Sequence, residues 1–166
     1  AGTGKTTVIS TIVNNLLDIN KKYVLLAPTG RAAKVIANYS NKPAFTIHKK
    51  IYFPKKSSGG GVSFTLQQNK HTNTIFIVDE ASGVADPIME AILGTLSGEN
   101  NKLLMCGNPT RTSGVFFDSH TADRSLYRCH TVSSLNSPRT NKENIESLIR
   151  KYGKDSNVVR VRVHGD

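Results

Sequence analysis

The opening residues constrain this chain more than any other stretch. Gly2-Thr3-Gly4-Lys5-Thr6 matches the end of the pattern G-x-x-x-x-G-K-[ST], and Thr7 follows. Small glycines let a backbone wrap closely around phosphate oxygens. Successive N–H groups and the N-terminus of the next helix stabilise negative charge there. In such a loop Lys5 reaches the β- and γ-phosphates of a nucleotide, and the hydroxyl of Thr6 holds Mg²⁺. Apolar residues at Val8, Ile9, Ile12, Val13, Leu16 and Leu17 give residues 5–19 the helical spacing the motif requires. Gly2, Thr3, Gly4, Lys5, Thr6 and Thr7 are therefore the candidate nucleotide-binding residues. The motif's first glycine would lie two residues before Ala1, so the chain reads as an N-terminally truncated piece.

The rest of the chain alternates short apolar runs with helical patterns. Residues 23–27 form an apolar run ended by Pro28, as in a buried parallel strand. Residues 75–78 and 102–106 form two more. Residues 62–66, 126–132 and 158–163 are further expected strands, the last from its alternation of Val and Arg. Helical patterns cover 30–39, 87–97 and 141–152, with Pro87 in a first turn and Gly153 as a C-cap. The Lys/Ser/Gly stretch from Lys55 to Gly61 reads as a loop. The expected fold is α/β: a single domain over residues 1–166, with a mainly parallel sheet in a three-layer α/β/α sandwich of the RecA-like P-loop type.

The run Ile75-Phe76-Ile77-Val78 ends in Asp79-Glu80. Ligands gather at the carboxyl ends of parallel strands. Asp79 is thus expected beside Mg²⁺, usually through a water, and Glu80 as the general base that polarises the attacking water. The expected cofactors are ATP and Mg²⁺.

Charge names the partner class. The chain carries 22 Lys and Arg against 12 Asp and Glu, a formal charge of +10. Such a surface favours polyanions, of which nucleic acid is the usual one. Residues 1–80 hold eleven basic and three acidic residues (+8). Residues 81–166 hold eleven and nine (+2), and there Arg replaces Lys as the main cation. No apolar run approaches the roughly 20 residues of a membrane helix. Two cysteines are too few for a disulfide framework, and no signal peptide is visible, so the chain reads as cytoplasmic. Cys106 reads as a buried thiol, and the five histidines show no metal-ligand spacing.

Residues 1–82 resemble a superfamily 1 DNA helicase of the RecD type. The resemblance rests on Ala1-Gly2-Thr3-Gly4-Lys5-Thr6-Thr7, Ala27-Pro28-Thr29-Gly30-Arg31-Ala32-Ala33-Lys34, Thr46-Ile47-His48 and Ile77-Val78-Asp79-Glu80-Ala81-Ser82. It implies that Thr29, Arg31 and His48 line a single-stranded DNA path. From residue 79 onward the chain is similar to a phage large terminase ATPase. Here the matching pieces are Asp86-Pro87-Ile88-Met89-Glu90, residues 96–102, Gly107-Asn108-Pro109-Thr110-Arg111, Ser137-Pro138-Arg139, residues 152–156 and residues 161–166. A helicase would show Gly-Asp-x-x-Gln after the third strand; this chain has Asn108 for the Asp and Arg111 for the Gln. The terminase resemblance implies that Asn108 senses the γ-phosphate and Arg111 transmits the change. The two resemblances meet at Asp79–Ser82, where the Lys-to-Arg shift also falls. A recombined chain and a single natural motor of mixed character are both open. Either resemblance implies a DNA partner: single-stranded for a helicase, double-stranded for a terminase. Each also implies a further domain, a second motor or a nuclease, for which 166 residues have no room. The remaining alternative is a non-catalytic or engineered P-loop scaffold that binds DNA only through its charge.

Overall fold

Hydrophobic periodicity explains which faces of the first elements are buried. In the computed structural model, which describes residues 4–56 and 59–165, helix α1 (Lys5–Asp18) buries Ile9, Val13 and Leu16, one per turn. Strand β1 (Lys22–Ala27) is followed by α2 (Gly30–Ser40), whose N-cap Thr29 accepts a hydrogen bond from Ala32 N at 3.2 Å. Strand β2 (Ala44–Thr46) leads directly into the short helix α3 (Ile47–Ile51). Strands β3 (Tyr52–Lys56) and β4 (Val62–Leu66) pair as an antiparallel hairpin whose second strand is exposed throughout. Then come β5 (Thr74–Val78), α4 (Asp86–Gly94), β6 (Lys102–Met105), the short α5 (Val115–Asp118) and α6 (Lys142–Tyr152).

Four strands form a parallel sheet in the order β2-β1-β5-β6. Alternate side chains of the two central strands enter opposite cores. Val24 and Leu26 of β1 and Phe76 and Val78 of β5 pack with α3 and α4, through Ile47, Ile51, Met89 and Ile92. Leu25, Ala27 and Ile77 pack against α1 and α2 on the other face. This is the expected α/β/α sandwich. Both central strands are buried on two sides, so they read in sequence as unbroken apolar runs. Among the described residues strand β6 pairs with β5 alone, and Leu103, Leu104 and Met105 are half-buried rather than buried.

Two expected strands are absent. Residues 126–132 carry a 3₁₀ turn, Arg124–Leu126, followed by irregular chain. The Val/Arg alternation at 158–163 folds as a helical turn, Asn157–Val159, and a π-helix, Arg160–His164. Val159 and Val163 are four apart, which places them on one side of a helix as well as on one face of a strand. There they bury against Ile145 of α6 and make a small separate cluster. Ser156 starts this helical segment by accepting from Val159 N at 3.3 Å. Four elements went unexpected, β2, α3, β3 and α5. Each is only 3–5 residues long, too short to show a period. Of the expected loop from Lys55 to Gly61, Lys55 and Lys56 belong to β3, and residues 57 and 58 lie outside the described residues. Among the described residues no helix is long and apolar enough to cross a membrane.

Candidate nucleotide site

Parallel pairing brings the carboxyl ends of β1, β2, β5 and β6 to one edge, and the sequence-predicted residues collect there. Gly4 opens α1 at φ 86°, a left-handed conformation that glycine adopts without steric cost. Gly2 and Thr3 lie outside the described residues. Lys5, the first residue of α1, donates from Nζ to Asn108 Oδ1 at 3.1 Å. The bond spans 103 residues and joins the start of α1 to the segment following β6. Thr6 is half-buried in the first turn beside it.

Asp79 follows β5 and is 6% exposed. Its N–H donates to Leu26 O at 3.0 Å, which continues the pairing with β1 beyond the strand. Cys106 Sγ donates to Asp79 Oδ1 at 3.1 Å, and it is the one side chain among the described residues that hydrogen-bonds this carboxylate. A thiol is a weak donor, so the carboxylate keeps most of its capacity for a cation or an ordered water. Burial pushes the Cys106 thiol well up from its ordinary value. The charge of Asp79, its hydrogen bond and the charge of Glu80 add to the rise, and Lys5 opposes it. Cys106 therefore stays a protonated donor to Asp79, with Lys5, Asp79 and Glu80 all within electrostatic reach.

Glu80 is the unusual residue of the turn. Five non-glycine residues among those described have positive φ. Four are Asn, which tolerates that region, and the fifth is Glu80 at φ 52°. A side chain in this conformation costs on the order of 1–2 kcal/mol, and the surroundings hold it there. Ala81 N donates to Cys106 O at 2.9 Å, Cys106 N to Val78 O at 3.0 Å, and Gly83 N to Glu80 O at 2.9 Å. The kink turns the chain out of the strand line directly after Asp79, so the two neighbouring carboxylates take different environments: Asp79 buried, Glu80 half-exposed.

Gly107 allows this turn to pack closely. A Cβ there would stand 3.2 Å from the backbone nitrogens of Ala81 and Ser82 and 3.3 Å from Ser82 Oγ. Gly107→Ala is therefore expected to displace the Asp79–Ser82 turn and cost about 1–3 kcal/mol, the range for overpacking. Urea denaturation of wild type and variant checks this; an unchanged midpoint would show that the turn yields freely.

The other candidates spread along the same edge. Arg111 is exposed, and its Nη1 lies 3.5 Å from Val84 O, at the limit of a hydrogen bond. It points to the turn after Asp79-Glu80, not to Lys5. Beside it, Thr110 Oγ1 donates to Ser82 Oγ at 3.1 Å. Thr29 and Arg31 follow β1, and His48 follows β2. Thr29 is occupied by capping α2. Arg31 is exposed, and His48 is exposed with its ring stacked on Tyr52 at 5.8 Å. They share the edge with Lys5 and Asp79, but no hydrogen bond links them to those residues among the described ones.

Two contacts were not legible in the sequence. Cys106 reads there as a filler of the core, yet it bonds Asp79. Arg139 reads as one residue of a Ser-Pro-Arg triplet, yet its Nη1 donates to Thr7 Oγ1 at 2.9 Å. Neither has a spacing signal, because the partners are 27 and 132 residues apart.

The residues present suit a magnesium nucleotide: a positive-φ glycine opening a helix, a lysine held at its N-terminus, and a buried carboxylate at a strand end. Several known proteins share parts of this sequence. A family described as an AAA domain matches residues 1–116. A probable terminase large subunit of Enterobacteria phage P7 is 33% identical over 119 residues, covering 67% of this chain and 24% of the relative. The RecBCD enzyme subunit RecD of Buchnera aphidicola is 28% identical over 184 residues, covering 90% and 30%. An uncharacterized protein of Methanocaldococcus jannaschii, MJ1519, is 38% identical over 117 residues, covering 63% and 10%. The chain thus spans a third or less of the length of each.

Proposed function

This chain belongs to the AAA domain family of P-loop NTPases, and on that premise we propose that it binds and hydrolyses Mg-ATP as the motor domain of a DNA translocase, of the helicase or the DNA-packaging terminase type. The observation that carries the reading is the 3.1 Å bond from Lys5 to Asn108. It sets the loop lysine and a candidate γ-phosphate sensor at one point on the sheet edge where Asp79 and Glu80 emerge.

The roles follow from that placement. Backbone N–H groups from Gly2 to Thr7 surround the phosphates, and Lys5 neutralises the β- and γ-phosphates. Thr6 and Asp79 would hold Mg²⁺, Asp79 through a water. When bound, that cation neutralises the charge that develops on the phosphate oxygens during transfer. Glu80, turned away from the strand and half-exposed, takes the proton of the attacking water. Asn108 exchanges its bond with Lys5 for one with the γ-phosphate, and Arg111 carries the change to the turn at Val84. Thr29, Arg31 and His48 offer a DNA strand polar, cationic and ring contacts along the same edge, and the +10 charge supplies sequence-independent attraction.

DNA as partner draws support from two relatives, a probable terminase large subunit and a RecBCD enzyme subunit. The similarity to RecD runs over 90% of the chain and does not stop near residue 82. This favours a single motor of mixed character over a seam between two parents. Residues 1–166 act as one P-loop domain of a larger machine, in which a second motor or a nuclease completes the activity.

Titration with a fluorescent ATP analogue and Mg²⁺ tests the reading, with Lys5→Ala as the comparison. Loss of the lysine is expected to weaken binding by roughly 10- to 150-fold, the equivalent of a 1.5–3 kcal/mol charged hydrogen bond. Equal binding by wild type and variant would leave a P-loop scaffold that holds DNA by charge alone.

A further inference from the structure

The chain returns to the phosphate loop from a segment beyond the residues that match the family. Arg139 donates to Thr7 Oγ1 at 2.9 Å, and its Cδ lies 3.5 Å from where a Cβ on Gly4 would stand. Gly4 and Thr7 are three residues apart, so they occupy one face of the first turn of α1. Lys5 leaves the helix about 100° further round, where it meets Asn108. Two cations therefore bracket the start of the helix from different sides.

The segment that carries Arg139 is anchored. Ser133 Oγ donates to Val163 O at 3.0 Å and Ser134 Oγ to Arg162 O at 3.1 Å. Ser134 is buried, and Ser137 N and Thr140 N close successive turns onto Ser134 O and Ser137 O. The small cluster of Ile145, Val159 and Val163 underlies this anchor. The C-terminal helices thus form a platform that holds one arginine over the loop.

Resting on the nucleotide-binding reading above, we propose that Arg139 is a second phosphate-binding cation, and that it grips the α- and β-phosphates common to ATP and ADP and not the γ-phosphate. The γ end of the site is set by Lys5, Asn108 and the Asp79-Glu80 turn. The N–H groups of the first turn cradle the α- and β-phosphates, and Arg139 touches that turn at Gly4 and Thr7. A guanidinium is a planar fork that matches two phosphate oxygens at once. Thr7 Oγ1 is a neutral acceptor that a phosphate oxygen replaces at a gain in charge pairing.

The test compares Mg-ADP with a non-hydrolysable Mg-ATP analogue, titrated into wild type, Arg139→Ala, Arg139→Lys and Lys5→Ala. Arg139 is exposed, and matching circular dichroism spectra establish that the variants fold. Arg139→Ala is expected to weaken both nucleotides by the same factor, roughly tenfold, the low end for a charged hydrogen bond. Arg139→Lys is expected to recover part of the loss, having the charge without the fork. Weaker binding of the ATP analogue with unchanged ADP would make Arg139 a γ-phosphate finger and overturn the proposal. Unchanged affinity for both would overturn it as well. If Lys5→Ala loses binding while Arg139→Ala keeps it, only the role of Arg139 falls. If wild type binds neither nucleotide, or Lys5→Ala binds as wild type does, the nucleotide reading falls and this proposal with it.

Discussion

Glu80→Gln is expected to leave nucleotide binding in place and to lower ATP turnover by a factor of roughly 10²–10⁴, the range that a positioned general base supplies. The amide has the shape of the carboxylate but cannot take a proton from water at neutral pH. Binding is expected to survive because the proposed phosphate contacts come from the first turn of α1, with Lys5, and from Arg139, and no hydrogen bond among the described residues joins Glu80 to the Lys5 or Arg139 side chain. The backbone supports the assignment independently of any likeness. Glu80 is the one positive-φ side chain among the described residues that is neither Gly nor Asn, and three backbone hydrogen bonds around it sustain that geometry. Strain of this kind persists where the surrounding structure over-determines it, and such residues cluster at functional sites. Steady-state hydrolysis, run beside a binding titration, is the measurement. Turnover within a few-fold of wild type would remove Glu80 from the chemistry and leave its backbone geometry as a property of the turn alone.

Phe76→Ala is expected to carry the largest stability cost, about 3–5 kcal/mol for a buried aromatic reduced to Ala. Phe76 is 2% exposed on the central strand β5, in the core shared with α3 and α4. The ring also meets His71 edge-on, with centroids 5.4 Å apart and planes at 87°. Domains of this size are stable by only about 5–15 kcal/mol, so the variant loses a large share of its margin. Function suffers with stability, because β5 delivers Asp79 and Glu80 to the sheet edge. Phe64, 68% exposed on the hairpin, provides the contrast: its replacement by Ala is expected to change stability by no more than about 0.5 kcal/mol. Chemical denaturation of both variants checks the pair. A small cost at Phe76 would mean that the core collapses around the gap.

How far the fold was legible depends on the element. Helix α1 was, because three full turns of apolar spacing have no competing reading. Strands β1 and β5 were, because four or more consecutive apolar residues bounded by Pro28 or by Asp79-Glu80 suit a strand covered on two faces. The segment at 158–163 was not. Its valines satisfy a period of two, but Val159 and Val163 also satisfy one helical turn, and helical packing against Ile145 decided between them. At 126–132 the composition suits a strand, yet a strand needs an edge to pair with, which no local pattern reveals.

The site divides along the same line. The helix start at Gly4–Thr7 and the strand end at Asp79-Glu80 are legible as local structure: a glycine opening an amphipathic helix, and carboxylates at the end of an apolar run. The sequence by itself determined those pieces and the α/β alternation that carries them. Only the tertiary structure decided what faces them. It placed Asn108 on Lys5, Cys106 on Asp79 and Arg139 on Thr7, across 103, 27 and 132 residues. Contacts at such separations leave no periodic trace, since they depend on strand order and on how helices seat against the sheet.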